Sequence, residues 1–181
     1  MSNQKSNQSL VISALGKDQP GIVNSITSPI TDSGCNIADS RMTILGGEFA
    51  ILVMVEGPWN AISRLEELLP SLQEKLGLTI ISRRTEATNE DRDVMPYAVN
   101  VVSLDHPGIV NQLAGFFSSH NINIHELYTD SYRAAHTGTQ MFSATMTVHI
   151  PANISIAQIR DEFLEFCDEL NLDAVLEPVK G

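Results

Sequence analysis

Two short segments carry residue types suited to holding a small charged molecule, and each occurs twice. Asp18-Gln19-Pro20-Gly21-Ile22-Val23-Asn24 recurs 87 residues later as Asp105-His106-Pro107-Gly108-Ile109-Val110-Asn111. The same offset carries Asn36-Ile37 onto Asn123-Ile124 and Asp39 onto Glu126. An Asp before Pro-Gly reads as a helix start, in which the carboxylate accepts from orphan first-turn N–H groups and proline presets φ. Glycine has no such duty in a first turn, where it is mildly costly. It does let another backbone or a ligand approach closely, and exposed helix amides favour an anion such as a carboxylate. Asn36 and Asn123 each precede a strand, where side-chain bonds to local backbone are ordinary turn chemistry. With the first loop and the start of the second strand expected at one end of a sheet, Asp, the Gly amide and Asn converge on one zwitterion. Asp suits the ammonium, the amides the carboxylate, and Asn either. A ligand site and a purely structural role both fit these residues.

Other chemistry is sparse. The chain has no GxSxG, no GxxxxGK[ST] and no HExxH. His120 and His125 flank Asn121-Ile122-Asn123-Ile124 where a helix gives way to a strand, so helical metal-ligand spacing does not apply, and no metal or cofactor is expected. Cys35 aligns with Ile122 in the repeat, and Cys167 lies among Phe163, Phe166 and Leu170. Both read as small buried hydrophobes rather than reactive thiols, and two cysteines make no disulfide framework. The pattern argues against an enzyme.

The elements that position the repeated residues follow from periodicity. Each copy reads β-α-β-β-α-β. In the first, 10–15 is a short apolar strand, and Pro20-Gly21 opens a helix with Ile22, Val23, Ile26 and Ile30 on one face. Gly34 stops it, in a position that favours positive φ. Strands over 37–45 and 49–55 form a hairpin across Gly46-Gly47. A second helix carries Ile62, Leu65, Leu69, Leu72 and Leu76 at spacings of three and four, and 78–82 is the last strand. The second copy repeats the stripe as Ile156, Ile159, Phe163, Phe166 and Leu170. Residues 49–55 match 142–148 at an offset of 93, which puts six extra residues in the hairpin around 132–139. The expected fold is α+β: two ferredoxin-like βαββαβ domains over 1–82 and 96–181, each an antiparallel four-stranded sheet with two helices on one face. The charged segment 83–95 is expected to link them. Pro29 is expected to bend or shorten the first helix.

Charge narrows the partners. The 181 residues carry a net charge of −11, unsuited to direct contact with nucleic acid or an anionic membrane. The hydrophobic share of 43% suffices for packed cores. The first apolar run, 10–15, is too short for a signal-peptide core, and a cytoplasmic location is expected. Residues 1–82 carry a net −3 and residues 96–181 a net −7. Part of that difference is Asp161, Glu162, Glu165, Asp168 and Glu169 on the last helix, opposed there only by Arg160. Such a face is either solvated surface or one that steers docking onto a basic protein.

The order Asp-x-Pro-Gly-Ile, short helix, Asn-Ile, hairpin, amphipathic helix and final strand resembles the ACT domain, a ferredoxin-like small-molecule sensor of amino-acid metabolism. The resemblance covers both copies, and an acidic chain made only of two such domains is similar to ACT-type transcriptional repressors. It implies an amino-acid effector such as glycine, a DNA-binding activator protein as partner, and possible homo-oligomers. ACT domains commonly bind amino acids between two domains, through the first loop and the start of the second strand. The matching positions are Asp18, Gly21, Ile22, Asn36 and Ile37, and in the second copy Asp105, Gly108, Ile109, Asn123 and Ile124. Many amino-acid-binding members have Asn where this chain has Asp18 and Asp105. The alternative function in the same family is the regulatory subunit of an amino-acid biosynthetic enzyme.

Overall fold

A computed structural model of the chain describes residues 7–86 and 93–179. The chain divides into two compact units, Met1–Thr88 and Asn89–Gly181. The first runs β1 (Gln8–Lys17), α1 (Ile22–Asp32), β2 (Asn36–Leu45), β3 (Glu48–Gly57), α2 (Trp59–Leu76) and β4 (Thr79–Thr85). The second repeats the series as β5 (Val94–Leu104), α3 (Ile109–Ser119), β6 (Asn123–Arg133), β7 (Gln140–Pro151), α4 (Ile156–Glu169) and β8 (Asp173–Pro178). Each unit has one antiparallel four-stranded sheet, in order β2-β3-β1-β4 and β6-β7-β5-β8.

Alternation along the central strands decides which face takes the helices. Leu10, Ile12 and Ala14 of β1 and Phe49, Ile51, Val53 and Val55 of β3 are buried beneath α1 and α2. The helices contribute Ile22, Ile26 and Ile30 from α1 and Ile62, Leu65 and Leu69 from α2. In the second core, Phe117 and Phe163 are fully buried with ring centroids 5.1 Å apart. Full burial of a side chain of this size contributes about 1.5–3 kcal/mol. Among the described residues, neither domain lays a helix of its own on the opposite face of its sheet.

Helix ends follow the left-handed stop expected from Gly34, which has φ 81°. Asn121, its counterpart in the second unit, adopts φ 54°, one of the few side chains that tolerate that region. Pro29 does not shorten α1, which has eleven residues like α3. The lost backbone bond falls in the last turn, and the amide of Ser33 still reaches the Pro29 carbonyl at 3.0 Å. The first hairpin turns at Gly46 and Gly47, both at positive φ. The second closes over a longer loop in which the Ala134 amide bonds the Thr139 carbonyl at 2.9 Å. The strands reach into the segment expected as linker: β4 includes Arg83 to Thr85 and β5 begins at Val94. Residues 87–92 of that segment lie outside the described residues.

Candidate functional site

Gly21 and Gly108 are the N-cap residues of α1 and α3, with φ 83° and 97°. An added Cβ at either would meet nothing within 4 Å. Backbone sign rather than crowding therefore calls for these glycines, which corrects the expectation that a first-turn glycine has no local duty. Neither helix has a side-chain cap bond, so Asp18 and Asp105 do not cap as expected. They lie three residues before the N-cap, beyond a tight turn in which the Ile22 amide donates to the Gln19 carbonyl at 3.3 Å. Both aspartates are exposed. Ile22 and Ile109 turn their side chains into the cores, at 4% and 2% exposure. Gln112, one turn into α3, has a buried Oε1 without a hydrogen-bond partner.

Asn36 and Asn123 are not beside these loops in their own domains. Asn36 pairs with Glu56, which pairs with Ser9 near the start of β1, whereas Lys17 at the loop end pairs with Glu48. Eight residue steps along β3, from Glu48 to Glu56, separate the two ends, roughly 25 Å at the rise of a strand. Because α1 carries the chain back before β2 begins, β1 and β2 start at the same end. The convergence of Asp18, Gly21 and Asn36 within one domain is thus excluded, and the matching register of β6 and β7 excludes it for Asp105 and Asn123. Ile37 and Ile124 lie partly buried against the cores, just before register shifts at Ile37/Asp39 and Ile124/Glu126.

A profile of the ACT domain matches residues 8–82. Over 172 residues the chain is 38% identical to the glycine cleavage system transcriptional repressor of Escherichia coli (strain K12), covering 94% of this chain and 90% of that one. The chain belongs to the ACT-domain family. The same identity and coverage hold for the protein of that name from Shigella flexneri. The solved structure of an unknown protein from Galdieria sulphuraria superposes with a TM-score of 0.78 at 28% identity, over 97% of this chain and all of that one. The architecture is a tandem pair of ACT domains, homologous over nearly its full length to a transcriptional repressor. An ACT domain implies a small-molecule effector.

Among the described residues no group of three or more His, Cys, Asp or Glu is placed to hold a metal ion. Burial raises the Cys35 thiol above its ordinary value and pushes Cys167 up to about 12, aided there by Asp168. No described helix is long and apolar enough to cross a membrane. Grooves of about 600 and 190 Å³ lie on the helix-free face of the first sheet, away from the repeated loops. They are shallow and share Val11 and Leu52, and so form one open sheet surface.

Three arrangements escaped the sequence reading. Arg84 bonds Glu66 at 2.6 and 3.0 Å, Gln8 at 2.9 Å and Ser63 at 3.0 Å, and its guanidinium lies 5.8 Å from the Trp59 ring centroid. His120 contacts the Phe116 carbonyl through Nδ1 at 2.8 Å and Glu162 through Nε2 at 2.9 Å, joining α3 to α4. His125 stacks on His149 at 4.3 Å between centroids. None of these pairs is marked by a spacing, since each joins elements distant in the chain.

Proposed function

We propose that the chain is a non-enzymatic, amino-acid-responsive regulator of transcription that acts in the cytoplasm through contact with a DNA-binding activator protein. The observation that carries this reading is 38% identity over 94% of the chain to a transcriptional repressor named for the glycine cleavage system. That name makes glycine the first effector to test. Direct operator contact is not part of the proposal, because a net charge of −11 opposes phosphate.

The effector site we propose uses Asp18, Gly21 and Ile22 with Asn36 and Ile37, and Asp105, Gly108 and Ile109 with Asn123 and Ile124. A single amino acid cannot span a loop and a strand start of the same domain across roughly 25 Å. It can be shared when the second domain comes from another copy of the chain lying antiparallel along the β2 edge. That strand is the edge of its sheet and carries exposed Met42 and Ile44. Asp18 then meets the ligand ammonium, helix amides the carboxylate, and the other copy's strand start closes the site.

Isothermal titration of the full chain against the twenty amino acids tests the effector. Binding of glycine, weakened in Asn36→Ala and Asn123→Ala variants that still melt cooperatively, is expected. Heat for none of the twenty would overturn the amino-acid reading. Co-purification with a DNA-binding protein is expected; co-purification with a large catalytic subunit would replace the transcriptional reading with that of an enzyme's regulatory subunit.

A further inference from the structure

The two strand starts differ at the positions around their matched asparagines. Asn36 pairs with Glu56 across β2 and β3, and Asn123 pairs with His149 across β6 and β7. Glu56 and His149 are equivalent at the offset of 93 that relates β3 to β7. The register shift after each asparagine falls at the same place, between Ile37 and Asp39 and between Ile124 and Glu126. Such a shift re-aims the side chain it inserts. The inserted residue is Ala38 in the first domain and His125 in the second. The His125 ring stacks on His149, at 4.3 Å between centroids and 16° between planes. Asp39 and Glu126, one residue further on, are both acids and do not separate the copies. The far ends of the same two strands differ as well. β2 ends on Leu45, which is 72% exposed, and the chain turns at Gly46. β6 runs one residue longer and ends on exposed Arg133, paired with Gln140.

We propose that these positions set the chemical class of effector for each domain: a neutral amino acid in the first, and an amino acid with an acidic side chain in the second. The proposal rests on the shared effector site described above. Antiparallel pairing along the strand edge puts the start of β6 in one copy beside the end of β6 in the other. Arg133 of one copy and His125 and His149 of the other then line one site, where Asp105 meets the ligand ammonium and the α3 amides its α-carboxylate. A guanidinium offers two parallel donors that match a carboxylate, and imidazole N–H groups donate to the same group. The equivalent positions in the first domain hold Leu45, Ala38 and Glu56. None of them donates to a second carboxylate, and Glu56 repels one. A like charge set against the wrong ligand discriminates as effectively as a donor set toward the right one. The Asp, Gly, Ile and Asn of the repeat are common to both sites, so the difference in ligand follows from these three positions.

Isothermal titration of the full chain with glycine, L-aspartate and L-glutamate tests the proposal. Heat is expected for glycine and for at least one of the two acidic amino acids. His149→Glu, which installs the acid of the first domain, and Arg133→Leu should each lower affinity for the acidic amino acid relative to glycine roughly tenfold, the worth of one hydrogen bond to a charged group. Arg133 is exposed at a hairpin end, so its replacement leaves the fold intact, and a cooperative thermal melt checks the His149 variant. A general loss of structure would lower both affinities and leave their ratio unmoved. Heat for glycine with none for either acidic amino acid would overturn this proposal and leave the effector reading standing. An affinity ratio unmoved in both variants would overturn it too. Heat for no amino acid would overturn the effector reading and this proposal with it.

Discussion

The amide of Asp18 donates to the carbonyl of Gly47 at 3.2 Å, which fastens the loop that opens α1 to the turn between β2 and β3. The second domain keeps the bond although its hairpin is longer: the Asp105 amide donates to the Gln140 carbonyl at 3.0 Å. The main chain of each aspartate is thereby fixed while its carboxylate stays exposed to solvent.

Beside that anchored loop, Gly21→Val and Gly108→Val force a β-branched residue to φ 83° and 97° with open space around Cβ. Each is expected to lower stability by about 1–3 kcal/mol through backbone strain alone. Gly21→Asn and Gly108→Asn should lose less, because Asn adopts the left-handed region more readily. Urea denaturation followed by circular dichroism ranks the four variants. Equal loss in the Asn and Val pairs would show that the sign of φ is not what these positions require.

Bonds from Gln158 and from His120 hold the Glu162 carboxyl below the ordinary glutamate range. A carboxyl depressed in the folded state contributes stability above its unfolded value and loses it as pH falls through the folded value. Glu162→Gln should therefore reduce stability near neutral pH and flatten the acid limb of the urea midpoint between about pH 5 and 3. An acid limb of unchanged slope would mean that the α3–α4 contact is not linked to this proton.

The acidic run on α4 separates into two parts. Asp161, Glu165 and Asp168 are exposed, while Glu162 is engaged with His120 and Gln158. Replacing the three exposed acids with Lys should slow association with a basic activator protein and reverse its salt dependence, leaving effector affinity unchanged. Stopped-flow association at low salt reads the effect; a wild-type rate would leave this face as solvated surface.

Cys167 is 1% exposed, with its thiol pushed up to about 12, and Cys35 is 8% exposed and raised by burial. A disulfide reagent should label neither at an appreciable rate in the native protein and both at once in denaturant. Rapid labelling of either in the folded chain would contradict the burial described.

The repeat made the fold legible, because each helical stripe was seen twice. Hydrophobic spacing at Ile62 to Leu76 and the left-handed stop at Gly34 are local signals, and local signals survive in a sequence. The position of Asn36 relative to Asp18 was not legible in that way. It depends on the direction in which β2 leaves α1, a property of the crossover rather than of any residue. The role of Gly21 was misread for a smaller reason: a helix boundary displaced by one residue changes a first-turn glycine into a cap. Arg84 with Glu66, and His120 with Glu162, join elements 18 and 42 residues apart, where no periodicity points.

Trp59 is the single tryptophan of the chain and belongs to the first domain, 61% exposed beneath the Arg84 guanidinium. The three tyrosines, Tyr97, Tyr128 and Tyr132, all belong to the second. The molecule therefore carries its own two-colour labelling. Excitation at the red edge selects the indole and reads the α2–β4 junction of the first domain, while the phenol signal reads the second sheet. A titration followed by indole emission is blind to an event confined to the second domain. Recording both emissions tells which half of the duplicated chain an added molecule has reached.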